Sequence, residues 1–352
     1  MSDYNNNNNN TRERTSTVKE VDREAAKSSK YTPKVTIEKP NRNVPADIKK
    51  KRQNMNKNDH SVKIPIHYST IMAATTCIIL TASFCYYCII HEHVSSMAKG
   101  VFLILSAIFW CFFMKVFVPP FPQDQSYHNF ADRRSLRAII PSISFMKISN
   151  VFDVLSNLPF LFVGLYGLCL FLSPTNIVFL TSFEKLGWII LFISSVFVFI
   201  GSSYYHLKPS NATLVWDRLP MTIGFTSILG LLIDERINPS LGKALYPFLL
   251  AAGFASCAYW YYRDDLRPYI LIQFFPMIYI PILILISPSV YSQTIYYVFA
   301  CGLYTLAKLC EIADKQIFRL TSKTISGHTL KHIFSALAIA VMVYMLQTRV
   351  VL

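Results

Sequence analysis

Charge is the scarcest property of this 352-residue sequence: Asp, Glu, Lys and Arg supply 15% of it, against about 25% in a soluble globular chain. Hydrophobic residues make up 53% and aromatics 14%. That balance excludes an ordinary soluble enzyme, a disordered protein and a disulfide scaffold. Acidic side chains are the scarcer sign, 20 against 34 Lys and Arg, for a net charge of +14. A basic excess of that size can mean nucleic acid, but its placement argues against such a partner. Residues 1–68 hold 15 basic and 8 acidic side chains, while the other 284 residues hold 19 and 12. The pattern is that of a membrane protein with a basic tail.

A second CxxC pair is also missing. Cys85 and Cys88 form one such pair, yet all eight cysteines fall in apolar stretches. There a thiol is a small packed hydrophobe rather than a metal or redox group. The first 68 residues lack hydrophobic periodicity altogether. They open on Asn5–Asn10 and reach their densest charge at Lys49-Lys50-Lys51-Arg52. A segment with so little to bury is expected to be a disordered, topogenic cytosolic tail.

Beyond the tail, apolar runs of lipid-spanning length recur. Nine are expected, at about 69–90, 98–118, 151–171, 187–206, 214–233, 244–261, 268–287, 293–313 and 327–347. Lipid offers no partner to an unpaired backbone group, so each must be helical. The chain is thus all-α and polytopic. It divides into the tail, two N-terminal transmembrane helices at 69–118, a connecting segment at 119–149 and a seven-helix core at 150–348. Arg133, Arg134, Arg137, Lys147, Lys208, Arg263, Arg267, Lys315, Arg319 and Lys323 then share one side with the tail. Only Lys99, Lys185, Arg236, Lys243 and Arg349 fall opposite, which orients the N-terminus to the cytosol.

Ionisable residues inside such spans point to function. His60, His67, His91 and His93 lie in the tail or at a span end, and His128 in the connecting loop reads as a solvated side chain. His206, His328 and His332 fall at span ends on the cytosolic side. His328 and His332 are four residues apart, hence on one helix face. With a third imidazole from another helix they make the three-nitrogen set of a catalytic zinc. Ser202 precedes His206 by one turn, and Asp217 follows it at the start of the next helix. A carboxylate there accepts a proton from metal-bound water or orients a ligand. Plainer readings stand beside this one: interfacial histidines, an Asp217–Arg218 ion pair, and a kink at Pro220. Lys308, Glu311 and Asp314, three residues apart in turn, read as structural pairing first and as support for the metal site second.

From Asn150 onward the chain resembles the seven-helix hydrolase superfamily that includes the alkaline ceramidases and the adiponectin/progestin-type receptors. The resemblance rests on Asn150-Val-Phe-Asp-Val-Leu-Ser-Asn157, Gly201-Ser-Ser-Tyr-Tyr-His206, Asp217-Arg-Leu-Pro-Met221 and Ser326-Gly-His-Thr-Leu-Lys-His332. Upstream, Pro122-Gln-Asp-Gln-Ser-Tyr-His128 and Phe130-Ala-Asp-Arg133 look like a mainly bacterial, ceramidase-like branch. The resemblance implies Zn2+ on His206, His328 and His332, assistance from Asp217 and Ser202, and hydrolysis of a ceramide-type membrane lipid. It also implies residence in the endoplasmic reticulum or Golgi.

The sequence departs from that pattern in three places. Residues 139–147 carry no carboxylate where the ceramidases have a calcium-binding element, so no such site is expected. Arg218 follows the aspartate where they carry glutamate. Lys331 stands inside the His-x3-His turn in place of a bulky residue. The sequon Asn211-Ala-Thr213 is expected to stay unmodified in its short cytosolic turn. Two other functions compete: zinc-dependent ester cleavage of a phospholipid or glycolipid anchor, and a receptor or scaffold with structural zinc. A transporter is disfavoured by the lack of an inverted repeat.

Overall fold

The computed structural model describes residues 68–91, 93–140, 148–172 and 177–352. The chain divides at residues 63 and 64, and all of the described residues belong to the second unit. The expected tail, 1–68, lies outside them apart from Tyr68, and so do 141–147, most of the stretch where the calcium element was not expected.

Helices dominate because the sequence offers long apolar runs with side chains that cap their ends. The main ones are α1 (Tyr68–Ile90), α2 (Ser96–Val116), α3 (Val151–Leu155 continued by Leu158–Cys169) and α4 (Ser182–Leu207). They are followed by α5 (Asn211–Arg236), α6 (Pro239–Arg263), α7 (Arg267–Ile286) and α8 (Ile295–Ile312). A short α9 (Asp314–Leu320) then leads into α10 (Gly327–Thr348). Ser95, Thr181, Ser210, Asn238 and Ser326 precede α2, α4, α5, α6 and α10. Each accepts the backbone N–H three residues on, which satisfies one of the donors a helix start leaves open.

Eight of the helices are long and apolar enough to cross a membrane, which marks a multi-pass membrane protein. The expected ninth span, 214–233, lies within α5, a 26-residue helix that falls short on composition. Asp217 and Arg218 sit near one end of it, Asp234 and Arg236 at the other, and all four are buried. The physical reason is its position. α5 packs against α4, α6 and α7, so its charges meet protein groups instead of lipid. α10 packs on α8 and α3, and α3 on α4, while α1 and α2 both lie against α7. Outward apolar side chains such as Ile78, Leu80 and Leu105 are exposed, as lipid-facing helices require.

Trp188, Leu191 and Phe192 of α4 join Leu229 and Leu232 of α5, Leu283 of α7 and Leu346 of α10 in the main core. A second cluster of Phe130, Tyr205, Leu214, Trp260 and Tyr269 closes one end. Two glycines set the spacing there. A Cβ at position 201 would overlap the Trp216 carbonyl of α5, and one at 327 would overlap the Cys310 carbonyl of α8. The opposite end is tied by Arg349, which donates to Glu184 at 2.5 Å, while the Tyr291 hydroxyl donates to the same carboxylate at 2.6 Å.

Candidate metal centre

His206 falls in the last turn of α4, and His328 and His332 fall in the first two turns of α10. The close approach at Gly201 seats the end of α4 on α5, and that at Gly327 seats the start of α10 on the end of α8. The three ring centroids stand 4.9 Å apart pairwise. One nitrogen from each ring lies within 4.8 Å of the others, and all three residues are buried, so the cluster is close enough to hold a metal ion. Both nitrogens of His206, and Nε2 of His328, have no hydrogen-bond partner. Buried polar atoms are nearly always satisfied, and unpartnered nitrogens on two of three clustered rings fit a metal held among them. An all-imidazole set suits a transition metal rather than calcium or magnesium.

The third ring is prepared by α3. A hydroxyl owns a single proton, and Ser156 gives it to the Asp153 carbonyl at 3.1 Å. Ser156 Oγ also meets His332 Nδ1 at 2.8 Å. The pairing fits the tautomer protonated on Nδ1, which leaves the Nε2 lone pair free. Ser156 reaches the ring because α3 breaks between Leu155 and Leu158, with Pro159 opening the second piece.

Further contacts fix the backbone around the centre. The Thr329 and Ser326 hydroxyls donate to Asp153 Oδ1 at 2.9 and 3.3 Å. Asp314 accepts the His328 N–H at 2.8 Å and the Ala131 N–H at 2.9 Å. Asn150 donates to the His206 carbonyl at 2.8 Å. Phe130 lies against His206 and His328, with centroids 4.6 and 4.9 Å away, and shields them from the connecting segment's side.

Two cavities meet beside the centre. One, about 170 Å³, runs through the apolar interior and is lined by Phe160, Val198, Phe225, Ile280 and Ile339, with Ser202, Asp217 and His332 at its polar end. The second, about 390 Å³, is lined by Gln123, Tyr127, Arg218, Lys308, Glu311 and Lys331 among others. Asp217, Met221, Tyr304, Lys331 and Ser335 line both. Ser202 lies against the Asp217 carboxylate, yet its hydroxyl makes no hydrogen bond of normal geometry. Asn157, at the same end, keeps Oδ1 without a partner.

The five residues singled out in the sequence therefore gather at one end of the bundle. Lys308 and Glu311 pair as expected, and Lys331 joins them on the other carboxylate oxygen at 2.7 Å. Tyr127 donates to that same oxygen at 2.9 Å. Burial above all, and Glu311 next, push the Tyr127 phenol well above its ordinary value, so it stays a donor. Asp314 takes no part in this pairing and instead caps the histidine helix. Arg218 does not pair with Asp217. It donates to Gln123 at 2.7 Å and lies over the Trp260 and Tyr269 rings at 4.3 and 4.5 Å.

His128 is half-buried rather than free in the loop. Its ring meets the Tyr205 hydroxyl and the Asn211 carboxamide oxygen, each at 2.9 Å. The connecting segment folds onto the bundle end and carries the ring down with it. The same contact engages Asn211 of the sequon. Ser156, Asp153, Phe130 and Gln123 were given no role from sequence. Only Pro159, three residues past Ser156, hinted at the break that exposes the hydroxyl. No family model, no curated protein and no solved structure matches this chain.

Proposed function

We propose that this protein is a zinc-dependent hydrolase of membrane lipid amides, ceramide-type lipids foremost, and a member of the seven-helix hydrolase superfamily its motifs resemble. One observation carries the reading: three buried imidazoles close enough to share a metal, two of them with nitrogens lacking a partner, lie beside a carboxylate at the polar end of an otherwise apolar cavity. Residence in the endoplasmic reticulum or Golgi belongs to the same proposal and is checked by imaging the tagged protein.

His206, His328 and His332 would hold the zinc, which when bound supplies a Lewis acid and a water of lowered pKa. The remaining work falls to the chain. Asp217 takes the proton that the attacking water gives up and returns it to the departing amine nitrogen, so that amide and water become carboxylic acid and amine. Ser202 donates to the amide oxygen as negative charge develops there, and its lack of a bonded partner supports this role. The cavity walls hold the acyl chain and keep bulk water from the reacting carbonyl.

The test is fatty-acid release from ceramides and phospholipids by the purified full chain, beside a chelator and Asp217→Asn. Ceramide turnover should vanish with chelator and fall about 10²- to 10⁴-fold in the variant, with metal content unchanged. Release from phospholipids alone would leave an esterase. No release from any lipid, with metal bound one to one, would make the protein a receptor or scaffold.

A further inference from the structure

The polar cavity is lined by three cations, Arg218, Lys308 and Lys331, and three carboxylates, Asp124, Asp217 and Glu311, yet its cationic donors are not all taken up. Glu311 is already engaged by three donors: Oε1 accepts from Tyr127 and Lys331, and Oε2 from Lys308. Asp124, at the exposed rim, is committed to the Ser126 N–H and hydroxyl at 2.8 and 2.6 Å. Its carboxyl is held below the ordinary range by those bonds. The cations are not used up in the same way. Each ammonium owns three donors, and Lys308 and Lys331 each give one to Glu311.

Arg218 shows this most clearly. Its side chain is 6% exposed, Nη2 donates to Gln123, and Nη1 has no acceptor at all. Trp260 and Tyr269 hold the guanidinium plane at 4.3 and 4.5 Å, but ring faces do not take up its in-plane N–H groups. A buried cation with spare donors is costly unless a ligand completes it. Arg218 and Lys331 are also two of the three places where the sequence departs from the ceramidase pattern, and both line this one cavity.

We infer that this cavity receives the phosphate-bearing headgroup of an N-acyl lipid whose acyl chain lies in the adjoining apolar cavity. The inference rests on the hydrolase reading above and narrows its substrate from neutral ceramides to anionic ones. A phosphate offers several oxygens, enough to meet the guanidinium fork and both ammonium groups at once. A neutral hydroxyl headgroup could accept from one of these donors but brings neither the charge nor the several oxygens that would meet all three cations. The two cavities share Asp217 and Lys331, so a lipid with its head in one and its tail in the other brings its linkage past the carboxylate.

The experiment uses the detergent-purified full chain and two ceramides that are identical except for a phosphate on the primary hydroxyl. Fatty-acid release gives the ratio of kcat/KM, phosphorylated over neutral, and melting temperature reports binding by each lipid without turnover. The wild-type ratio should exceed one and fall about tenfold in Arg218→Gln, the size expected for one charge-assisted hydrogen bond. Lys308→Gln, at a more exposed position, should lower the same ratio and carries the test if the arginine variant does not fold. A wild type that prefers the neutral lipid, or variants that keep the ratio, would overturn the inference while leaving the hydrolase intact. Hydrolysis of neither lipid, together with a phosphate-selective rise in melting temperature lost in the variants, would overturn the hydrolase and leave the headgroup site. Inorganic phosphate alone raising the melting temperature as much as the phosphorylated lipid would overturn the lipid assignment.

Discussion

Replacing Ser156 by alanine tests the argument that fixes the His332 tautomer. Ser156 makes no contact with the other two imidazoles that any hydrogen bond records, and its link to the centre is the 2.8 Å bond to His332 Nδ1. In Ser156→Ala that buried N–H loses its well-placed acceptor and keeps only its approach to the Asp153 carbonyl, so the ring is held less firmly in this tautomer. An unsatisfied buried donor costs about 1–3 kcal/mol. A lost outer partner of a metal-bound histidine typically lowers affinity about 10- to 100-fold. The two figures agree, since tenfold corresponds to about 1.4 kcal/mol. The assay is competitive zinc titration of the purified protein against a chromophoric chelator, with His332→Ala beside it. Ser156→Ala should weaken binding about tenfold to a hundredfold, and His332→Ala should weaken it further. An alanine variant that binds zinc within about twofold of wild type, while His332→Ala still loses it, would refute the tautomer argument.

Gly201→Ala should destabilise the protein by about 1–3 kcal/mol, since the added methyl meets the Trp216 carbonyl where α4 and α5 touch. A lowered melting temperature, with zinc content falling in parallel as His206 is displaced, is the expected result. Glu311→Gln leaves Lys308 and Lys331 without their shared counter-charge at side-chain exposures of 19% and 10%. Breaking such a pair costs about 3 kcal/mol, and denaturant unfolding in mixed micelles should show it. Restoring stability with the further change Lys308→Met would confirm that the loss is electrostatic.

Much of this protein was legible in its residues. The apolar runs could only be helices, because the bilayer offers the backbone no partner. His328 and His332 were readable as a pair because four residues return a helix to the same face. Ser202 and Asp217 were readable for the same local reason, each placed within a turn or two of a helix end near His206. What sequence spacing could not supply was everything that depends on which helices become neighbours. α5 carries four buried charges and still forms a bundle helix because α4, α6 and α7 surround it. His128 became half-buried because a loop folded back onto Tyr205 and Asn211. Arg218 chose Gln123 and two aromatic rings, nearly a hundred residues and about fifty residues away, over the aspartate beside it. Ser156 met His332 across 176 positions because a helix broke where two others converged. Local periodicity determined the helices and the ligand pair. Tertiary packing alone decided the proton on His332 and the cation left open beside Asp217, since a hydrogen bond depends on distance in space and not on separation along the chain.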